Sequence, residues 1–332
     1  MIRALLTLAA ALALGAAPIS AAPFEVVADA GDGLKNPFGV AFDEGGNLYI
    51  AEYEGGRLWK MAPGGKPAVV SGDGSKGYSR DGTAAADAKY NGMHNVCAAP
   101  DGTLYLSDTR NNLVRKIGAD GKVRTVAGVP GKKGFAGDGG PATEALLNDP
   151  ISIALSADAK TLYIADINNR RIRAVDLASG AIETAAGNGE KGAPEDGATA
   201  KDAPLTDPRA CDVDSEGNLY ILERGGHALR VVRPGGKIYT VAGTGKAGAA
   251  DGSRQRSQMN GPKHLCLDDQ DRVIVADAEN HLIRRYDPKT RRLETILGKE
   301  EKLNRPHGVW VHGGWLYVCD SWNDRVLRMK AD

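Results

Sequence analysis

Net charge, cysteine and long apolar runs of helical period are what this chain of 332 residues has little of. It carries 42 basic and 42 acidic residues, so no overall field draws it to nucleic acid or to an anionic membrane. Its four cysteines, Cys97, Cys211, Cys266 and Cys319, form no CxxC pair, which removes the usual thiolate metal sites. All four lie inside apolar strand patterns and read as small buried side chains, although an export route would allow disulfides in three complete pairings. Beyond the first residues no apolar stretch repeats with a period of 3.6, while 43 glycines mark many turns between short strands.

The opening residues, "MIRALLTLAAALALGAAPISAAPFE", place one Arg before an apolar run that ends in small residues at Ala21 and Ala22. This predicts a secretory signal peptide over residues 1–22, and a mature chain, 23–332, that is periplasmic or secreted. The run is too short to span a bilayer, and no cysteine follows it to carry a lipid. No membrane insertion is expected after cleavage.

The chain then repeats itself. "LYIAEYEGGRLWKM", "LYLSDTRNNLVRKI", "LYIADINNRRIRAV", "LYILERGGHALRVV", "VIVADAENHLIRRY" and "LYVCDSWNDRVLRM" share an apolar pair, an acid, a polar turn, and alternating apolar and basic residues. The acids Glu52, Asp108, Asp166, Glu223, Asp277 and Asp320 recur every 43 to 58 residues. Such a period is the signature of a repeat architecture. Each copy holds four strand candidates; in the third, "PISIALS", "TLYIADI", "RRIRAVD" and "IETAAG" are strands A to D, joined by turns of hairpin length. Six such units predict an all-β, six-bladed β-propeller. The blades fall at about 37–72, 94–128, 150–187, 208–243, 262–298 and 306–332. The last copy lacks strand D, and "FEVVADAG" near the N-terminus resembles the D strands "VRTVAG" and "IYTVAG". Residues 24–30 are therefore expected to complete blade six and close the ring as a single domain.

With "GNLYIA", "ADINNRRIR", "SDTRNNLVRKI" and the crossing "AGVPGKKGFAGDGGPATEALLNDP", the chain resembles the NHL-repeat family over essentially its whole mature length. The resemblance implies the six-bladed fold. It leaves function open, because NHL propellers include RNA binders, protein-binding domains and enzymes.

The repeated acids are expected to be scaffold, accepting hydrogen bonds from backbone N–H groups of the B–C turn. The later basic residues Arg115, Arg173, Arg230, Arg284 and Arg328 are expected to pair with neighbours on the blade surface. Four D-to-A crossings are long, 72–92, 128–149, 187–207 and 243–261, and contain the Asp-Gly pairs at Asp81, Asp138, Asp196 and Asp251. An Asp ahead of helix-forming residues signals an N-cap, so each crossing is expected to carry one helical turn. The crossings at 298–305 and 31–36 are short, which lowers the top rim beside blades six and one.

The first residues of strand A form the top mouth of the channel: Phe38, His94, Ile151, Arg209, Lys263 and His307, followed by Gly39, Asn95, Ser152, Ala210, His264 and Gly308. His94, Asn95, Arg209, Lys263, His264 and His307 are the candidate ligand-binding residues. Ordinary packing does not call for so many polar heads at one ring. Arg209 can fork a carboxylate or phosphate, Lys263 adds a point charge, and the histidines titrate near neutrality.

Similarity to the amidating-lyase propellers, whose zinc site takes a His from alternate blades, reaches "RPHGV" (His307) and "GMHNV" (His94) but meets Arg209 in the third position. A cation there opposes a metal ion. The gluconolactonase-like propellers are similar in architecture, but their first-blade glutamate motif has no match here. No metal or other cofactor is therefore expected, zinc and calcium being the ions to test. The sequence reads as an exported binding module taking a protein, a peptide, a glycan or a small anionic ligand at its top face, and no nucleic acid. The alternative is a periplasmic hydrolase or lyase, with His94 or His307 as acid/base and Arg209 stabilising an oxyanion.

Overall fold

A computed structural model describes residues 24–298 and 300–331. The signal-peptide reading over residues 1–22 lies outside them. The described chain is all-β, with six antiparallel sheets of four or five strands set around an axis as a six-bladed propeller. Blade three follows the sequence reading closely: Pro150–Leu155, Thr161–Asp166, Arg171–Asp176 and Ile182–Ala186 are its strands A to D.

Glu25–Ala28 pairs antiparallel with Arg325–Lys330 and supplies the outer strand of blade six. The two ends of the chain thus close the ring. Arg328 pairs with Glu25 across this closure.

The molecule has no single core. Six apolar clusters fill the six seams between neighbouring blades. Strands A and B are squeezed from both sides, which is why they read as nearly continuous apolar runs. Leu48–Glu52 and Leu104–Asp108 are buried throughout. The four cysteines are free and buried among these seams.

The repeated acids are fully buried and act as staples. Asp108 accepts from the backbone N–H of Asn91 in the crossing and from the Asn111 amide in the B–C turn. Asp166, Asp277 and Asp320 repeat the arrangement with Asn148 and Asn169, Asn260 and Asn280, and Asn304 and Asn323. The backbone donor is therefore in the crossing, not in the turn as expected. The turn is a short 3-10 segment that closes its own N–H, as Asn112 does on Thr109, and has only the Asn side chain to offer.

Arg115, Arg173 and Arg284 are likewise not on the blade surface; their side chains are completely buried. Each lies between two carboxylates, the staple acid and the Asp of a crossing: Asp108 and Asp81, Asp166 and Asp138, Asp277 and Asp251. The crossing Asp also accepts from a Thr of strand D, namely Thr125, Thr184 or Thr295. These Asp residues are thus anchors and not N-caps. The 3-10 turns Ala85–Asp87, Ala142–Glu144 and Ala200–Asp202 do form, without a side-chain cap, and the fourth crossing forms the two-residue strand Gly252–Ser253 instead.

Each long crossing reaches out and clamps the outer edge of the blade it is about to enter. Ala84 bridges to Lys122 and Pro141 to Ala181, while Ala198–Thr199 and Gly252–Ser253 add a fifth strand to blades four and five. Among the described residues, blade one has no such clamp on its outer strand, Ala68–Ser71.

Candidate functional site

Strand A of each blade lines the channel and begins at the top. In blades one to four the register with strand B slips at this point, between Pro37 and Gly39, Met93 and Val96, Pro150 and Ile153, and Pro208 and Ala210. Each slip is a bulge, and a bulge re-aims a side chain. The bulged residues are Phe38, His94 with Asn95, Ile151 with Ser152, and Arg209. Sequence patterning placed these residues at the mouth, but it carried no sign of the bulges that turn them inward.

The mouth has two storeys. In the upper one, Phe38 stacks on His307 with ring centroids 3.9 Å apart and meets His94 edge-on at 5.2 Å. Tyr53 stacks on the same Phe38 at 4.5 Å. His94 and His307 therefore converge on one opening. Gly39 and Gly308 make this approach possible. A Cβ on Gly308 would lie 2.5 Å from the Phe38 carbonyl oxygen, and one on Gly39 would lie 2.8 Å from the His94 carbonyl oxygen.

The lower storey is a floor. Asn95 Nδ2 of blade two donates to His264 Nε2 of blade five at 2.9 Å, closing the channel from opposite sides. Asn95 Oδ1 also accepts from the Ile153 N–H at the open inner edge of the following blade. Asp212 does the same for Leu267 further down. Because its Nε2 accepts from Asn95, the neutral His264 ring carries its proton on Nδ1, which lies 3.4 Å from the Val309 nitrogen without accepting from it. Asn95 and His264 are thus engaged in scaffolding beneath the ring of side chains that forms the cup of the mouth.

The upper histidines have a fixed tautomer. Thr109 Oγ1 donates to the Pro150 carbonyl, so toward His94 Nδ1 it can only accept. His94 therefore carries its proton on Nδ1, and its Nε2 lone pair is left free. His307 Nδ1 likewise faces the Arg305 carbonyl, 3.0 Å away. Burial, reinforced by the positive charge of Arg209, holds both rings well below the usual histidine range. His264 is pushed down to about 4 by the same causes. All three are neutral at physiological pH, which corrects the expectation that they titrate near it.

The fixed charge at the mouth belongs to Arg209 and Lys263. Lys263 is pushed down to about 8 by burial and by Arg209, and it pairs with Glu279 at 3.3 Å. Glu279 also binds Arg305. The neighbouring cations Arg224 and Arg110 have their own carboxylates, Asp207 and Asp149. Arg209 has none. It is 6% exposed, its Nε is buried without an acceptor, and no hydrogen bond or ion pair joins it to another described residue. Burial first, then Arg224, push it down to about 9.

Sequence reasoning missed the outer ring of the mouth, Tyr53, Arg110, Arg224 and Glu279. These are the residues one or two places after each repeated acid, so the repeat alignment does contain their positions. Among the described residues no three His, Cys, Asp or Glu side chains group as metal ligands.

Architecture and mouth together define a six-bladed propeller with a cationic central mouth. The NHL repeat model matches residues 259–286, in blade five of the propeller. It is 29% identical over 286 residues to the chloroplastic protein SUPPRESSOR OF QUENCHING 1 of Arabidopsis thaliana, covering 82% of this chain and 27% of that protein. It is 28% identical to human NHL repeat-containing protein 2, covering 74% of this chain and 40% of that one. The chain thus spans less than half of either relative. Among solved structures it resembles an auxiliary nutrient binding protein from Bacteroides ovatus, with a TM-score of 0.65 at 14% identity, over 90% of this chain and 70% of that one. At that identity the likeness concerns the fold.

Proposed function

We propose that this is an exported binding propeller whose top cup receives an anionic group, a carboxylate or a phosphate, on Arg209. The observation that carries the reading is the buried guanidinium without a partner. A charge in that state is costly unless something pairs with it, and every other cation around the cup already has a carboxylate. Arg209 offers a fork to a carboxylate or phosphate, Lys263 a second positive charge, and the neutral His94 and His307 acceptor sites for hydroxyl groups beside the anion. The nutrient-binding description of the Bacteroides ovatus neighbour is in keeping with a binding role.

Titration calorimetry with citrate and with inorganic phosphate tests the reading. Wild-type protein should bind at least one of them, and Arg209→Gln should weaken that binding ~10-fold or more. No binding of either anion by the wild type would overturn it. Export is tested by fractionating cells and sequencing the mature N-terminus, with cleavage expected after Ala22.

The second reading, a hydrolase or lyase, is favoured by one observation. The Nδ1 contacts of His94 and His307 leave both Nε2 lone pairs uncommitted, near a cation that can stabilise a developing oxyanion. A panel of esters, lactones and peptidyl substrates should then show turnover that His307→Ala abolishes.

A further inference from the structure

Beside the cup, between blades six and one, lies a cavity of about 430 Å³ lined by Ala30, Gly33, Leu34, Asn36, Glu54, Trp322 and their neighbours. Its size is within the range of ~300–1,000 Å³ common for small-molecule sites. It occupies the sector where the two crossings are short and the rim is low. Trp322 is 54% exposed, the most exposed of the large apolar side chains among the described residues. Its counterparts two places after the acid in the other blades are Glu54, Arg110, Asn168, Gly225 and Glu279, so the ring is peculiar to this blade.

The indole is held ready. Trp322 sits in the 3-10 turn Ser321–Asn323, and its backbone N–H donates to the Asn304 carbonyl. Arg305 lies over the ring, 4.4 Å from its centroid, and is fixed in turn by Glu279. Arg305 is not part of the cavity wall, so the cavity meets ring surface that Arg305 leaves uncovered. Ala30, Gly33 and Leu34 line another part of the wall, and Lys35, Asn36, Glu54 and Asp324 supply its polar groups. Glu54 has no hydrogen bond or ion pair to another described residue, and Asp324 uses only Oδ1, on the Asn36 N–H. One flat apolar ring facing carboxylate acceptors is the chemistry that recognises a saccharide: the ring takes the apolar face of a pyranose, and the carboxylates take its hydroxyls.

The cavity and the cup are neighbours along the chain. Asn36 accepts from the N–H of Tyr53, the ring stacked on Phe38, and Glu54 follows Tyr53 directly. We propose that the cavity is a saccharide subsite, and that the ligand is an acidic oligosaccharide with a carboxylate on Arg209 and a neighbouring sugar ring on Trp322. This rests on the anion-binding reading of the cup.

The test is calorimetry on the full mature protein with a galacturonate trimer, its methyl ester, maltotriose, a wider panel of acidic oligosaccharides, and citrate. The expected result is binding of the acidic trimer or another acidic member of the panel. Trp322→Ala should lower the ratio of oligosaccharide to citrate affinity ~10-fold or more, the scale of a truncated aromatic anchor, with Trp322→Phe recovering part of it. Methyl esterification should weaken the trimer as Arg209→Gln does. An unchanged ratio in Trp322→Ala, or citrate binding with no oligosaccharide bound, overturns the subsite and leaves the anion site standing. Failure of citrate and phosphate as well overturns both.

Discussion

Replacing Arg209 with Met should make the protein more stable while removing its affinity for anions. Burial takes the guanidinium from its ordinary value of 12.5 to about 9. For a base, a lowered value means that the folded state disfavours the charged form. The penalty is complete at every pH below about 9 and fades only as pH rises toward the unfolded value. At about 1.4 kcal/mol per pH unit, the displacement corresponds to roughly 5 kcal/mol acting against folding at neutral pH. Relaxation and water around the side chain reduce what a substitution can recover. An apolar residue of similar length should therefore add ~1–4 kcal/mol, as replacement of buried charge by packed apolar groups can. Denaturant titration of wild type, Arg209→Met and Arg209→Lys measures this directly, and the thermal midpoint should rise by ~2 °C per kcal/mol for a domain of this size. The Lys variant keeps the charge and should keep the penalty. If Arg209→Met lost more than ~1 kcal/mol instead, the guanidinium would be supported by its surroundings, and the reasoning that assigns it to a ligand would fail.

Three further outcomes follow from the same structure. His264, at about 4, lies below the ~6.5 of an unfolded histidine; its contribution is complete above pH 6.5 and is lost as pH falls toward 4, so the stability difference between wild type and His264→Gln should narrow by ~3 kcal/mol between pH 7.5 and pH 4 in urea titrations. Gly308→Ala puts a methyl 2.5 Å from the Phe38 oxygen and 3.0 Å from Cys319 Sγ, and should cost ~1–3 kcal/mol by calorimetry while separating Phe38 from His307. Asp138→Ala leaves the buried Arg173 with only Asp166 at 3.7 Å, and should cost ~1–3 kcal/mol because Asp138 is partly exposed, whereas Asp120→Ala, which breaks an exposed pair with Arg124, should leave the melting midpoint where it is.

The ring and its closure were legible in the sequence because they rest on periodicity. The acids from Glu52 to Asp320 mark one turn per blade, and the missing last strand had a visible counterpart at residues 24–30. Partner choice was not legible. Asp138 next to glycine looks like a cap, yet its carboxylate serves Arg173 and Thr184, 35 and 46 residues away. The candidate site was half legible. Strand starts brought His94, Arg209, Lys263 and His307 to one opening, but the same reasoning could not separate them from Asn95 and His264, which are committed to each other across the channel. That separation depends on register slips of one or two residues, and on which atom of each side chain reaches a free backbone group. Trp322 escaped notice because the repeat was read for its constant positions, and the place two residues after the acid differs from blade to blade.

The clamps give the ring a weak sector. From blade two to blade five, an incoming segment ties down the outermost strand before the chain turns inward; the strand Ala68–Ser71 has no such tie among the described residues and presents Val69 and Val70 to solvent. Breathing of a closed ring costs least where the fewest bonds cross. Amide deuteration should therefore run fastest along this strand and slowest in blades three and four. Because the Trp322 cavity borders the same loose sector, a guest bridging blades six and one would act as the missing brace, and occupancy would register as slowed exchange far out on the rim.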